Sequence, residues 1–280
     1  MIRHATLIFA LWFAAIANAA WTETGNVVES RPGVKLSYVV AKAVSSPAVH
    51  AESASENTAS KHLLLLLTGG AGAIRAAAEG IREHDADHPD LRGYLAEQLG
   101  MVVTPGLPSD QPQGLSIDWR DGAQHAADLG AVMEVMISQY PAALITVIGI
   151  SNGCISAAHI SAAARKRWGA NFHNVVLLSC SRDAFREHWL AALDGAGLQL
   201  KVPLLVVHHR RDSCLHYENV AAQATRYDFI VVDDVNQPRP SLVRRDCTKG
   251  SAHVYGGKEE KVYQAVVEWI ITGKAAAIKN

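Results

Sequence analysis

The stretch LITVIGISNGCISAAHI, residues 144–160, joins a β-branched apolar run to a run of small residues, with a glycine-flanked serine at the junction. With Ala143 before it, the run to Gly149 (ALITVIG, 143–149) reads as a strand buried on both faces, and the residues from Ser156 onward read as a helix. Between them Gly149, Ile150, Ser151, Asn152 and Gly153 spell G-x-S-x-G. A strand that turns at once into a helix brings its flanking backbones so close that side chains at the outer two positions would collide. Glycine removes the collision and leaves the serine in a strained conformation with its hydroxyl pushed outward. Taken bare, such a pattern recurs by chance on the order of once in ten chains of this length. Its position between strand and helix gives it meaning and marks Ser151 as a candidate nucleophile.

The same alternation extends in both directions. GVKLSYVVAK (33–42) is a strand with Val34, Leu36, Tyr38 and Val40 on one face. HLLLLLTGGAG (62–72) is a solid apolar run ended by glycines, GMVVTPG (100–106) is a short strand, and 121–140 has helical spacing at Ala127, Val132, Val135 and Met136. Further on come strand NVVLLSC (174–180), helix DAFREHWLAAL (183–193), strand VPLLVVHH (202–209), a short helix near YENVAAQA (217–224), strand YDFIVVDD (227–234) and helix KEEKVYQAVVEWIITG (258–273). Strands alternating with helices, most of the strands apolar on both faces, predict an α/β fold with a mainly parallel sheet. Residues 42–60 are small and polar and are expected to be a flexible connection.

The 280 residues are 49% hydrophobic and 19% charged, enough for a sizeable core in a single domain. With 26 Lys and Arg against 27 Asp and Glu, and without runs of like charge, the chain has no nucleic-acid footprint. A small neutral substrate suits it better.

At the N-terminus, Arg3 and His4 precede ATLIFALWFAAIA, and the small residues of ANA (17–19) follow, the pattern of a secretory signal over 1–19. The apolar stretch is short against the ~20 residues of a membrane span, so no stable anchor is expected after cleavage. A secreted or periplasmic location follows. There, Cys154, Cys180, Cys214 and Cys247 can form up to two disulfides, in any of three pairings.

A serine hydroxyl needs a base to take its proton and a third group to fix that base. His253, in KGSAHVYGG (249–257), lies in a glycine-rich loop between the last strand and the final helix. His208, His209 and His216 compete, but the first two belong to a strand and its end. For the acid, Asp212 lies just past the strand of LLVVHHRRDSC (204–214) and completes the order serine, acid, histidine. Asp183 is the alternative; Asp233, Asp234 and Asp246 are further candidates.

These residues resemble the α/β-hydrolase superfamily over nearly the whole mature chain. GISNG looks like its nucleophile elbow, HHRRD like its acid loop and GSAHVYGG like its histidine loop. The resemblance implies an α/β-hydrolase fold, a mainly parallel central sheet flanked by helices, and an oxyanion hole made of the backbone amides of Asn152 and Gly70, with Ala71 as alternative to Gly70. Where many members have His-Gly in that loop, this chain has Thr68-Gly69. It further implies a disulfide between Cys214 and Cys247 tying the acid loop to the histidine loop; Cys154, which opens the helix after the elbow, and Cys180, which ends the next strand, are candidates for a second pair. Residues 181–201 are too few for an inserted cap domain, so an open site is expected, with 72–94 forming one wall and Trp119 or Trp189 either lining it or packing elsewhere.

The implied activity is hydrolysis of small carboxylic esters through an acyl-enzyme on Ser151, without cofactor. A peptidase, thioesterase or acyltransferase would use the same triad, and a non-catalytic binding module is the alternative of a different kind. No Cys/His spacing resembles a zinc site.

Overall fold

The computed structural model describes residues 21–44, 62–72, 76–77, 80–81, 89–181, 202–215, 217–222, 227–234, 247, 250–276 and 278. In chain order the strands are β1 (Trp21–Arg31), β2 (Val34–Ala43), β3 (His62–Leu67), β4 (Ala76–Ala77), β5 (Gly80–Ile81), β6 (Gly100–Pro108), β7 (Leu144–Ile150), β8 (Phe172–Leu178), β9 (Leu204–His209) and β10 (Asp228–Val232). The helices are α1 (Pro89–Leu99), α2 (Ile117–Arg120), α3 (Ala123–Gln139), α4 (Gly153–Trp168), α5 (Tyr217–Ala221) and α6 (Glu259–Thr272).

Among the described residues eight strands form one sheet in the order β1-β2-β6-β3-β7-β8-β9-β10, and β4 and β5 form a separate ribbon. β2 is antiparallel to both its neighbours, and from β6 to β10 every pairing is parallel. This is the expected α/β architecture. The solid apolar run of β3 follows from it, because successive side chains point to opposite faces and both faces are covered. Leu63, Leu65 and Leu67 join a core built with α3 and α4, whereas Leu64 and Leu66 join a second core built with α1 and α6. α4 is rich in alanine where it meets the sheet: Ala157, Ala158 and Ala164 are buried there.

β1 was not legible as a strand. Its residues alternate between half-buried and exposed, and its pairing with β2 turns through Pro32 and Gly33, the glycine at φ +75°. The strand expected at 33–42 runs one residue further, into the expected connection, since Lys42 pairs with Thr22 on one side and Met101 on the other and Ala43 still pairs with Trp21. β6 runs on through Pro105 to Pro108, its prolines tolerated where the register with β2 shifts between Leu36 and Tyr38.

α3 buries Val132 and Met136 of the expected spacing, with Ala127 and Val135 half-buried at its margin, and the buried stripe widens to take in His125 and Asp128 beside Leu129 and Met133. Asp128 takes the guanidinium of Arg31 at 2.8 Å, which explains a fully buried carboxylate on a core helix. The last part of the expected wall opens α1, whose Leu91 and Leu95 are buried in the second core. The ring of Trp119 lies under the Arg31 guanidinium, 5.3 Å from its centroid. Residues 1–20 and 45–60, the helix expected at 183–193 with Asp183 and Trp189, and His216 and Asp246 lie outside the described residues.

Candidate active site

β7 delivers Ser151 to the carboxyl edge of the sheet, and α4 begins two residues later. Ser151 has φ +52°, in the left-handed region that a non-glycine residue occupies at a cost of about 1–3 kcal/mol. Its amide is held by the carbonyl of Leu178 on the neighbouring strand at 3.0 Å. The two glycines are required by contact. A Cβ on Gly153 would stand 2.1 Å from the carbonyl oxygen of Leu67, and one on Gly149 would stand 2.7 Å from the Ala157 Cβ and 2.8 Å from the Cys154 Cα.

The acid turn follows β9. Asp212 is fully buried, and its Oδ1 accepts the backbone N–H of Cys214 at 2.7 Å. His253 sits in the one-turn 3-10 helix Ala252–Val254, begun by Ser251, whose Oγ accepts the His253 N–H, and ended by Tyr255 at φ +70°. The structure brings the three together across separations of 41 and 102 residues: His253 Nδ1 lies 2.8 Å from Asp212 Oδ2, and His253 Nε2 lies 3.0 Å from Ser151 Oγ.

A carboxylate only accepts, so His253 Nδ1 carries the proton toward Asp212 and Nε2 is left to accept the serine hydroxyl. Burial works to raise the Asp212 pKa. The hydrogen bond and charge of His253, the charge of His208 and the Cys214 amide outweigh it, and the carboxyl is held below its ordinary range.

The competing histidines have other partners. His208 Nε2 bonds the carbonyl of Leu215 at 2.9 Å, and His209 Nδ1 accepts the Arg211 amide at 2.9 Å. Burial pushes both imidazoles down despite the nearby Asp212 charge. Asp233 is paired with Arg210 at 3.0 Å. Among the described residues, one group of potential metal ligands converges, Asp212, Cys214 and His253. The Cys214 sulfur is bonded to Cys247, and the other two bond each other, so the set does not offer three open ligands.

Both cysteine pairs are disulfides: Cys154–Cys180, with an S–S distance of 2.11 Å, and Cys214–Cys247, with Cα atoms 5.6 Å apart. The first lies buried behind the elbow; the second links the acid turn to the chain that leads into the histidine turn.

Gly70 and Asn152 are adjacent. Gly70 lies on a turn closed by the Gly72 amide on the Gly69 carbonyl at 2.9 Å, and Asn152 Nδ2 donates to the Gly70 carbonyl at 3.3 Å. Beneath this turn is a group the motifs did not signal. Arg120, 2% exposed, donates from Nη2 to the carbonyls of Gly69 and Gly70 at 3.3 and 3.1 Å and from Nη1 to Ser156 Oγ at 3.1 Å. His125 Nε2 meets the same hydroxyl at 2.9 Å. Burial, with the positive charge of Arg120, pushes the His125 pKa down to about 3.

No protein-family model matches the chain, and no curated protein matches it in sequence. Solved structures do. An alpha-beta serine hydrolase homologue from Coxiella burnetii superimposes with a TM-score of 0.56 at 14% identity, over 87% of this chain and 95% of that one. Est1E from Butyrivibrio proteoclasticus gives 0.56 at 14% identity, over 89% and 98%. XC6422 from Xanthomonas campestris, described as an a/b serine hydrolase without lid, gives 0.52 at 15% identity, over 89% and 94%. The chain has the α/β-hydrolase fold, as its motifs led one to expect, and no inserted cap is seen among the described residues.

Proposed function

We propose that this protein is a serine hydrolase that cleaves small carboxylic esters, exported to an oxidising compartment as a single domain over 20–280 after removal of a signal at 1–19. The observation that carries the proposal is the His253 imidazole, 3.0 Å from Ser151 Oγ on one side and 2.8 Å from Asp212 on the other. In this reading His253 Nε2 takes the hydroxyl proton as Ser151 Oγ bonds to the ester carbonyl carbon. Asp212 fixes the tautomer and stabilises the imidazolium.

The tetrahedral oxyanion is met by the amides of Asn152 and Gly70, each worth about 3 kcal/mol when preorganised. Collapse breaks the carbon–oxygen bond to the alcohol, which leaves with the proton from His253. Water, deprotonated by His253, then adds to the acyl-enzyme. A second collapse frees the acid and returns the proton to Ser151.

The fold neighbours include a serine hydrolase homologue and an esterase, which is consistent with this chemistry. Two disulfides suit an oxidising compartment, and no helix among the described residues is long and apolar enough to cross a membrane.

The test is intact-mass analysis after treatment with a fluorophosphonate, on wild type, Ser151→Ala and His253→Ala under non-reducing conditions. One adduct on wild type and none on the variants is expected, followed by turnover of p-nitrophenyl esters. A folded wild-type protein that takes up no label would sink the proposal and favour a binding module.

A further inference from the structure

We infer that Arg120 is a positioning residue of this site, holding the Gly69–Gly70 turn so that its amides face the developing oxyanion; this rests on the serine-hydrolase reading above. In a trans peptide the C=O and the following N–H point in opposite directions. Drawing the Gly69 and Gly70 carbonyls down onto one guanidinium nitrogen therefore turns the Gly70 and Ala71 amides away from it. Asn152 Nδ2 bonds the Gly70 carbonyl as well, so the elbow and the turn are held in one register.

The guanidinium is itself fixed. Nη1 donates to Ser156 Oγ on α4, five positions past Ser151, and the Ser156 hydroxyl is left to donate to neutral His125 on α3. The turn wraps closely around the cation, since a Cβ on Gly72, at φ +67°, would stand 2.8 Å from Arg120 Nη2. With 2% exposure the guanidinium does not reach substrate directly. It acts through the turn.

The test uses the full chain with both disulfides intact, as wild type, Arg120→Met and Arg120→Lys. Each is followed by fluorophosphonate labelling, by kcat and KM on p-nitrophenyl acetate, and by affinity for an aryl trifluoromethyl ketone, which adds to serine as a tetrahedral oxyanion. Arg120→Met is expected to lower kcat about 10²-fold and to weaken the ketone in step, with KM changed less than about threefold. Arg120→Lys, which can reach one carbonyl, recovers about tenfold of the loss.

Unchanged kcat and ketone affinity in Arg120→Met overturn the inference. So does a fall in kcat with ketone affinity intact, which marks general packing damage. If Arg120→Met does not fold, Arg120→Lys decides by the same criteria, a parallel loss supporting the inference and wild-type values overturning it. An unlabelled wild type overturns the hydrolase reading and this inference together; a labelled wild type with indifferent Arg120 variants overturns this inference alone.

Discussion

The backbone N–H of Cys214 donates to Asp212 Oδ1, which leaves Oδ2 as the oxygen that faces His253. The two oxygens of one buried carboxylate thus have separate duties, one shaping the acid turn and one holding the imidazole.

Asp212→Asn should separate those duties. Its amide oxygen must stay on the Cys214 N–H, so the NH₂ faces His253 Nδ1, which can then only accept. The imidazole proton moves to Nε2 and points at Ser151, the wrong tautomer for a base. We expect a fold close to wild type and a fall in kcat of about 10⁴. Turnover of p-nitrophenyl acetate alongside a thermal melt measures both, and a loss under tenfold contradicts the assignment of Asp212.

Gly153→Ala and Gly149→Ala should differ in severity. The first drives a methyl to 2.1 Å from a carbonyl oxygen of β3, which cannot yield without moving the sheet; the second meets neighbours at 2.7–2.8 Å. Losses of about 3 and about 1 kcal/mol are expected in urea unfolding. The reverse ranking would show that the elbow relaxes by another route.

Acid sensitivity should trace in part to His125. Its folded pKa, about 3, lies below the ordinary 6.5, so the native state holds it neutral while the unfolded chain takes up a proton. Its contribution is fully present above pH 6.5 and is lost as pH falls toward 3, by at most about 1.4 kcal/mol per pH unit. Urea titrations at stepped pH should give a shallower decline for His125→Gln than for wild type. Parallel declines would remove His125 as the cause.

The disulfides should divide stability from activity. Removing either pair as a double alanine variant is expected to cost about 3 kcal/mol. The Cys214–Cys247 variant should in addition lose about tenfold in kcat well below its melting temperature, because that bond ties the acid turn to the segment before His253. Equal kcat values for the two folded variants would refute the distinction.

What was legible in the chain was local. The glycines around Ser151, the loop around His253 and the strand before Asp212 each announce a turn at one sheet edge, and the architecture of alternating strands and helices follows from apolar runs. Arg120 escaped because nothing within SIDWRDG marks its arginine as buried. It becomes a core residue only when β3, α2 and α4 meet around it. His125 and Asp128 escaped for a related reason, since a count of apolar positions along α3 skips polar groups whose partners lie elsewhere in sequence. β1 carried one usable signal, the Pro32-Gly33 turn, and too little apolar alternation to exploit it.

The two disulfides join each cysteine to the next one along the chain, Cys154 to Cys180 and Cys214 to Cys247. Neither bridge encloses or crosses the other. For a polypeptide threading out of a membrane pore amino end first, the first partner each odd-numbered thiol in the series meets is its correct one. If the chain is exported as proposed, an oxidant acting as it emerges would make the native bonds in order, with no subsequent reshuffling required.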